Sequence, residues 1–146
     1  MLNRDFEVLT TTGAVDLTKK GIFAGSPLTN TDAGFTLAKG KVTFVGLSYN
    51  YYSDVKDDVT GGEWFADSGK VGIVKIGQVT IANEDGMKVF DDTKTYAVND
   101  DLYVDANGLL TNEASAKDEA DKNFVGTVVA ADASNKFLTV FVNCLN

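Results

Sequence analysis

The side chains of this sequence best suited to chemistry are its acids, its tyrosines and its lone tryptophan. Asp and Glu fall in pairs at Asp57-Asp58, Glu84-Asp85, Asp91-Asp92, Asp100-Asp101 and Asp118-Glu119. Such carboxylates could hold a hard cation, which takes several carboxylate and carbonyl oxygens, but no stretch has the spaced ligands, sixth-position glycine and closing glutamate of an EF-hand loop. The pairs read instead as solvated turns whose charge keeps exposed strand edges from pairing. A glycosidase would need two carboxylates held at a fixed distance in a cleft, and with 21 acids in the chain no pair is singled out.

Histidine is absent, which removes the commonest general base, the commonest metal ligand and every Ser-His or Cys-His nucleophile arrangement. Cys144 is the only cysteine, so no intrachain disulfide forms, and near the end of a terminal strand it reads as a small buried apolar residue. Gly61-Gly62 and Gly69-Lys70-Val71-Gly72 lack the strand-glycine-helix setting of a phosphate cradle and read as turns. These residues predict a protein that is not an enzyme and carries no metal site and no cofactor.

Tyr49, Tyr51, Tyr52, Trp64 and Phe65 crowd one aromatic neighbourhood beside polar loops, and with Phe6 they form the candidate interface. Tyr and Trp are enriched among interface anchors. The same rings could stack on sugar, and the simplest use for them is core and loop packing.

The elements that must position these residues are mostly strands. At 146 residues the chain has the size of one domain that buries roughly 68–70% of its unfolded surface. Phe6 to Thr10 predicts a short first strand and Lys41 to Ser48 a better one. Between them, Gly13 to Gly40 holds five glycines and the only proline, Pro27, with little periodicity, and reads as an extended arm or set of loops. The expected organisation is an arm over residues 1–40 and a β-barrel or sandwich over 41–146. The arm's scant apolar surface suggests ordering against a partner.

After the loop-like Ser53 to Gly69, the run from Val71 to Ile81 predicts one long bent strand or two meeting at a corner, with Gly72 and Gly77 marking bulges or close approaches. Short strands follow at Lys88 to Phe90, Thr95 to Val98, Leu102 to Asp105, Leu109 to Thr111, Phe124 to Ala131 and Lys136 to Asn143. Asn107-Gly108 between apolar runs predicts a hairpin over Leu102 to Thr111. In Phe124 to Ala131 and Lys136 to Val142 both alternating sets are apolar, which suits the inside of a barrel or a subunit interface. Only Asn112 to Lys122 favours helix, on an alanine face that buries little. The fold class is all-β, a small antiparallel barrel or sandwich with at most one short helix.

Thirteen Lys and Arg against 21 acids give a net charge of −8, so nucleic acid is a poor partner. The N-terminus lacks a basic stretch followed by an apolar run, and no segment approaches the roughly 18 apolar residues of a membrane span. Synthesis in a cytoplasm as a soluble chain, with no membrane partner, is the expectation.

From Gly69 onward the order of motifs resembles that of the capsid decoration, or cement, proteins of tailed bacteriophages. The likeness rests on Gly69-Lys70-Val71-Gly72-Ile73-Val74, then Tyr96 with Asp101-Leu102-Tyr103-Val104 and Gly108-Leu109-Leu110-Thr111. Val125-Gly126-Thr127-Val128 and Leu138-Thr139-Val140-Phe141-Val142 follow. In that family a hairpin of this kind precedes a Val-Gly-x-Val strand and a final apolar strand. About half of the chain shares the pattern. The resemblance implies a barrel or sandwich without catalytic residues, a homo-oligomer (dimer or trimer), and attachment to the major capsid protein on the outside of the head. It places the protein in the virion, after synthesis in the host cytoplasm. A carbohydrate- or receptor-binding module built on the aromatics from Tyr49 to Trp64 is the alternative.

Overall fold

The computed structural model describes residues 2–4, 9–53, 69–84 and 86–145, with the backbone alone described at residues 3, 4 and 9. Among the described residues ten strands form one antiparallel sheet: β1 (Leu2–Arg4), β2 (Leu9–Ala14), β3 (Pro27–Thr31), β4 (Gly34–Leu37), β5 (Gly46–Ser48), β6 (Lys70–Ala82), β7 (Asp101–Val104), β8 (Leu110–Thr111), β9 (Phe124–Ala131) and β10 (Phe137–Asn143). The protein is all-β. The one helical feature among the described residues is a 3₁₀ turn at Ala114–Ala116, within the stretch that favours helix.

β6 organises the sheet. One of its edges carries β1 and β2, and the other carries β10 along its C-terminal half and β5 along its N-terminal half. From β10 the sheet continues through β9 and β7 to β8, and from β5 through β3 to β4. It curls on the β4 side, where Phe35 bridges Val15 and the Asp16 amide donates to the Phe35 carbonyl at 3.0 Å. Thus β2, β5, β3 and β4 wrap a small half-barrel against the first part of β6.

Two cores result. The larger one gathers Phe44, Val74, Val79, Ile81, Phe90 and Leu102 with the inward residues of β9 and β10, including Val128, Leu138, Val140 and Val142. The smaller holds Val15, Ile22, Leu28, Tyr52, Val71 and Ile73. Successive side chains of a strand point to opposite faces, so Ile73 and Val74 carry β6 from one core to the other. Pairing with β2 then skips Lys75, since Leu9 faces Ile76 and Thr10 faces Val74. This extra residue is a bulge that shifts the alternation by one, and Val79 and Ile81 thereby face the larger core.

The long strand Lys70–Ala82, the hairpin of β7 and β8, and the strands β9 and β10 agree closely with the sequence reading. Gly13 to Gly40 does not. That stretch contributes β3, β4 and the end of β2, and it buries Val15, Ile22, Leu28 and Ala38. Its strands carry Thr and Asn on the outside and pair mainly through backbone, so they lack the apolar alternation that would announce them; Pro27 sits at the first strand position, where a missing N–H is tolerated. Residues 13–40 are thus part of the sheet and its cores and not an extended arm.

Other segments are shorter than expected. Of Lys41 to Ser48 only Gly46–Ser48 is strand, because the amides of Phe44 and Val45 donate to the carbonyls of Lys122 and Leu28 while Phe44 drops into the larger core. Thr95 to Val98 forms no strand. Asp100 Oδ2 accepts the Ala97 amide at 2.9 Å, Asn99 takes φ 73°, and Tyr96 packs edge-on against Phe90. Lys88 to Phe90 supplies only a bridge, from Phe90 to Leu110. The expected strand from Phe6 lies outside the described residues up to Leu9.

Candidate interaction surface

Of the six candidate interface residues, Phe6, Trp64 and Phe65 lie outside the described residues. The structure separates the three tyrosines. Tyr52 belongs to the smaller core: it exchanges backbone hydrogen bonds with Ile22 and its hydroxyl donates to the Leu17 carbonyl at 2.7 Å. Tyr51 is half-buried and its hydroxyl donates to Glu84 Oε2 at 2.7 Å. Burial first, then this bond and the Glu84 charge, push the phenol well above its ordinary range. Tyr49 alone presents its ring, 40% exposed, with its amide bonded to the Gly72 carbonyl. The neighbourhood read as one surface is therefore, among the described tyrosines, one core residue, one hydrogen-bonded residue and one exposed ring.

Of the paired acids expected in solvated turns, Asp91-Asp92, Asp100 and Asp118-Glu119 lie in or beside turns, Asp101 opens β7, Glu84 sits at a bridge, and Asp57, Asp58 and Asp85 lie outside the described residues. Asp16 and Asp91 each accept the amide and the hydroxyl of the threonine two positions on, Asp105 accepts the amides of Asn107 and Leu109, and Asp132 accepts the Ser134 hydroxyl and the Lys136 amide. Asp100 takes the Ala97 amide and the Asn112 side chain. These bonds to the ionised form hold Asp16, Asp100 and Asp132 below the usual carboxylate value. Among the described residues no three of Cys, Asp or Glu are grouped so as to hold a metal ion.

A different surface is built by the outer face of β6, β10 and β9. The register sets Phe137 beside Ala82, Thr139 beside Thr80 and Ala130, and Phe141 beside Gln78 and Thr127. Ile76 lies beside Asn143, and the bulge residue Val129 lies between Thr127 and Ala130. Phe137, Phe141, Ile76 and Val129 are 36–42% exposed. The Thr80 and Thr139 hydroxyls are 3.0 Å apart and share a hydrogen bond across the strands. None of these outer-face residues is charged. From strand spacing and rise the face covers about 350 Å² of sheet, with Thr80, Thr139, Thr127, Gln78 and Asn143 interspersed among its apolar residues.

The inner face of the same strands is closed by Leu138, Val140, Val142, Val79 and Ile81, all fully buried. Apolar residues on both sides of β10 were legible in the sequence. Missing was the register, which brings Ile76 from β6 and Val129 from β9 beside the two phenylalanines. No family model matches this chain, and no curated protein or solved structure matches it.

Proposed function

We propose that this chain is a structural binding protein of a phage virion, attaching to the outside of the assembled head at junctions of the major capsid protein and stabilising the shell. The observation that carries the reading is the uncharged outer face of β6, β10 and β9 in a chain of net charge −8. Two phenylalanines fixed on a rigid sheet can anchor a contact without the entropy of ordering a loop. The acids held in capped turns leave the rest of the chain strongly negative, which opposes non-specific association. The motif resemblance from Gly69 onward supplies the shell as the partner.

The mechanism is mass action. A ligand that binds only the assembled lattice stabilises it by RT ln(1 + [L]/Kd), about 2.7 kcal/mol per site at a hundredfold excess over Kd. Repetition over a shell makes modest site energies sufficient. Mixing the purified protein with undecorated heads and sedimenting them tests this reading. Saturable co-sedimentation at a fixed ratio to the major capsid protein is expected, and a protein that stays in the supernatant at every concentration would refute it.

A further inference from the structure

On the half-barrel side, away from the uncharged face, a cleft of about 770 Å³ opens between the turn after β2, the β3–β4 hairpin and the loop that follows β4. The volume lies in the upper part of the range of ligand pockets. Lys19, Lys20 and Lys39 line it, and no lining residue is acidic or aromatic. Three of the chain's 13 cations thus face one cleft in a molecule with 21 acids.

Both walls are held by specific bonds. Asp16 accepts the Thr18 amide and hydroxyl at 3.0 and 2.6 Å, and its carbonyl takes the Lys19 amide, so the turn that carries Lys19 and Lys20 is closed. Opposite, the Gly40 amide donates to the Asp105 carbonyl at 2.7 Å and fixes the chain beside Lys39. The ammonium groups of Lys19 and Lys39 form no ion pair with a described residue.

We infer that this cleft binds an acidic peptide segment of a partner protein, with carboxylates on Lys19 and Lys39 and an apolar side chain between them. The walls choose among anions. Lysines reaching in from two sides spread their charge, and a lysine acts as a point charge without the planar fork that clasps phosphate in two bonds. Leu17, Leu37 and Val42 give the cleft an apolar lining, which an inorganic anion leaves wet. A sugar acid would call for an aromatic platform, and none lines the cleft. Thr18, Thr29 and Thr36 add hydroxyls suited to peptide carbonyls and amides.

The inference is independent of the shell-binding reading and is tested on the free protein. The probe is a short fluorescent peptide alternating Glu with Leu and Val, followed by anisotropy. Expected is saturable binding that weakens about tenfold in Lys19→Glu/Lys39→Glu and also weakens from about 50 to about 500 mM salt. Lys136→Glu, on the β9–β10 turn, changes the net charge without touching the cleft and leaves binding as it was. Equal loss in the Lys136 variant would make the effect one of overall charge and overturn the site. Displacement of the peptide by equimolar inorganic phosphate or polygalacturonate would overturn the ligand class, and absence of binding would overturn both. The substituted lysines are exposed, so unchanged thermal melts check that the variants are folded.

Discussion

C-terminal to Gly77, β6 runs between β1 and β10, and its inward side chains meet the regular apolar alternation of β10 and β9. N-terminal to Gly77 the same strand runs between β2 and β5, and its core partners come one at a time from irregular segments: Val15 from a strand end, Ile22 from a bridge, Tyr52 from a loop. The first half is held by side chains that repeat along strands, the second by backbone bonds that gather scattered apolar residues. A strand of one continuous composition can thus serve two kinds of packing, with alternation at Ile73 and Val74 changing the core and the extra residue at Lys75 keeping Val79 and Ile81 on the larger one.

Deleting residues 2 to 33 breaks the comparison most severely. It strips β1 and β2 from one edge of β6 and removes Val15, Ile22 and Leu28 from the smaller core. The expected result is no cooperative melt, read by circular dichroism. A truncated chain that melts like the parent would show that the larger half stands alone.

Glycine substitutions sharpen the contrast. A Cβ at Gly126 would overlap the Phe141 carbonyl oxygen, whereas one at Gly13 would overlap the Phe35 ring. Backbone in the middle of β10 cannot yield, and a half-buried ring at the sheet's edge can turn aside. Gly126→Val is expected to destabilise by more than about 3 kcal/mol or to abolish soluble yield, and Gly13→Val by roughly 1–3 kcal/mol. Urea unfolding measures both, and equal costs would contradict the difference in rigidity.

Asn123 ties together the loops of the larger half. Fully buried, it donates to the carbonyls of Val104 and Ala116, approaches that of Gly40 at 3.4 Å and accepts the Asp118 amide. Asn123→Ala leaves those groups without their partner and is expected to cost about 2–3 kcal/mol. A cost below about 0.5 kcal/mol in the same urea assay would show that the network is dispensable.

Acid has the smallest effect and reaches both halves. Asp16 in the smaller half and Asp100 and Asp132 in the larger have carboxyls held below their ordinary value. A group depressed in the folded state stabilises above its unfolded pKa, about 3.9 for Asp, and loses that contribution as pH falls through its folded value. The melting temperature should therefore be insensitive to these groups from pH 7 to about 5 and fall below about pH 4. Asp100→Asn should flatten part of that fall, and an unchanged acid limb would contradict its role.

The larger half was legible in the sequence because period-two alternation survives there and Asn107-Gly108 announces its turn; Gly108 indeed takes φ 81°. The smaller half was not, since Thr29, Asn30 and Thr36 pair through backbone and Ile22 and Leu28 fall in a stretch broken by Gly21, Gly25, Ser26 and Pro27 with no regular period. Proximity in sequence put Tyr49, Tyr51 and Tyr52 together, and the bridge of Tyr52 to Ile22 and the bond of Tyr51 to Glu84 give them different surroundings; Phe6, Trp64 and Phe65 lie outside the described residues. Phe137 and Phe141 gave the opposite lesson, since a strand apolar on both sides has a second face to cover.

Under the proposed function this second face serves binding and not folding. Phe137→Lys/Phe141→Lys tests it when stability and head binding are measured on the same preparation. The account predicts a urea midpoint close to the parent and co-sedimentation with undecorated heads weakened at least about tenfold, or 1.4 kcal/mol. Parental binding, or a loss of stability as large as the roughly 3 kcal/mol expected of Leu138→Ala in the core, would contradict it.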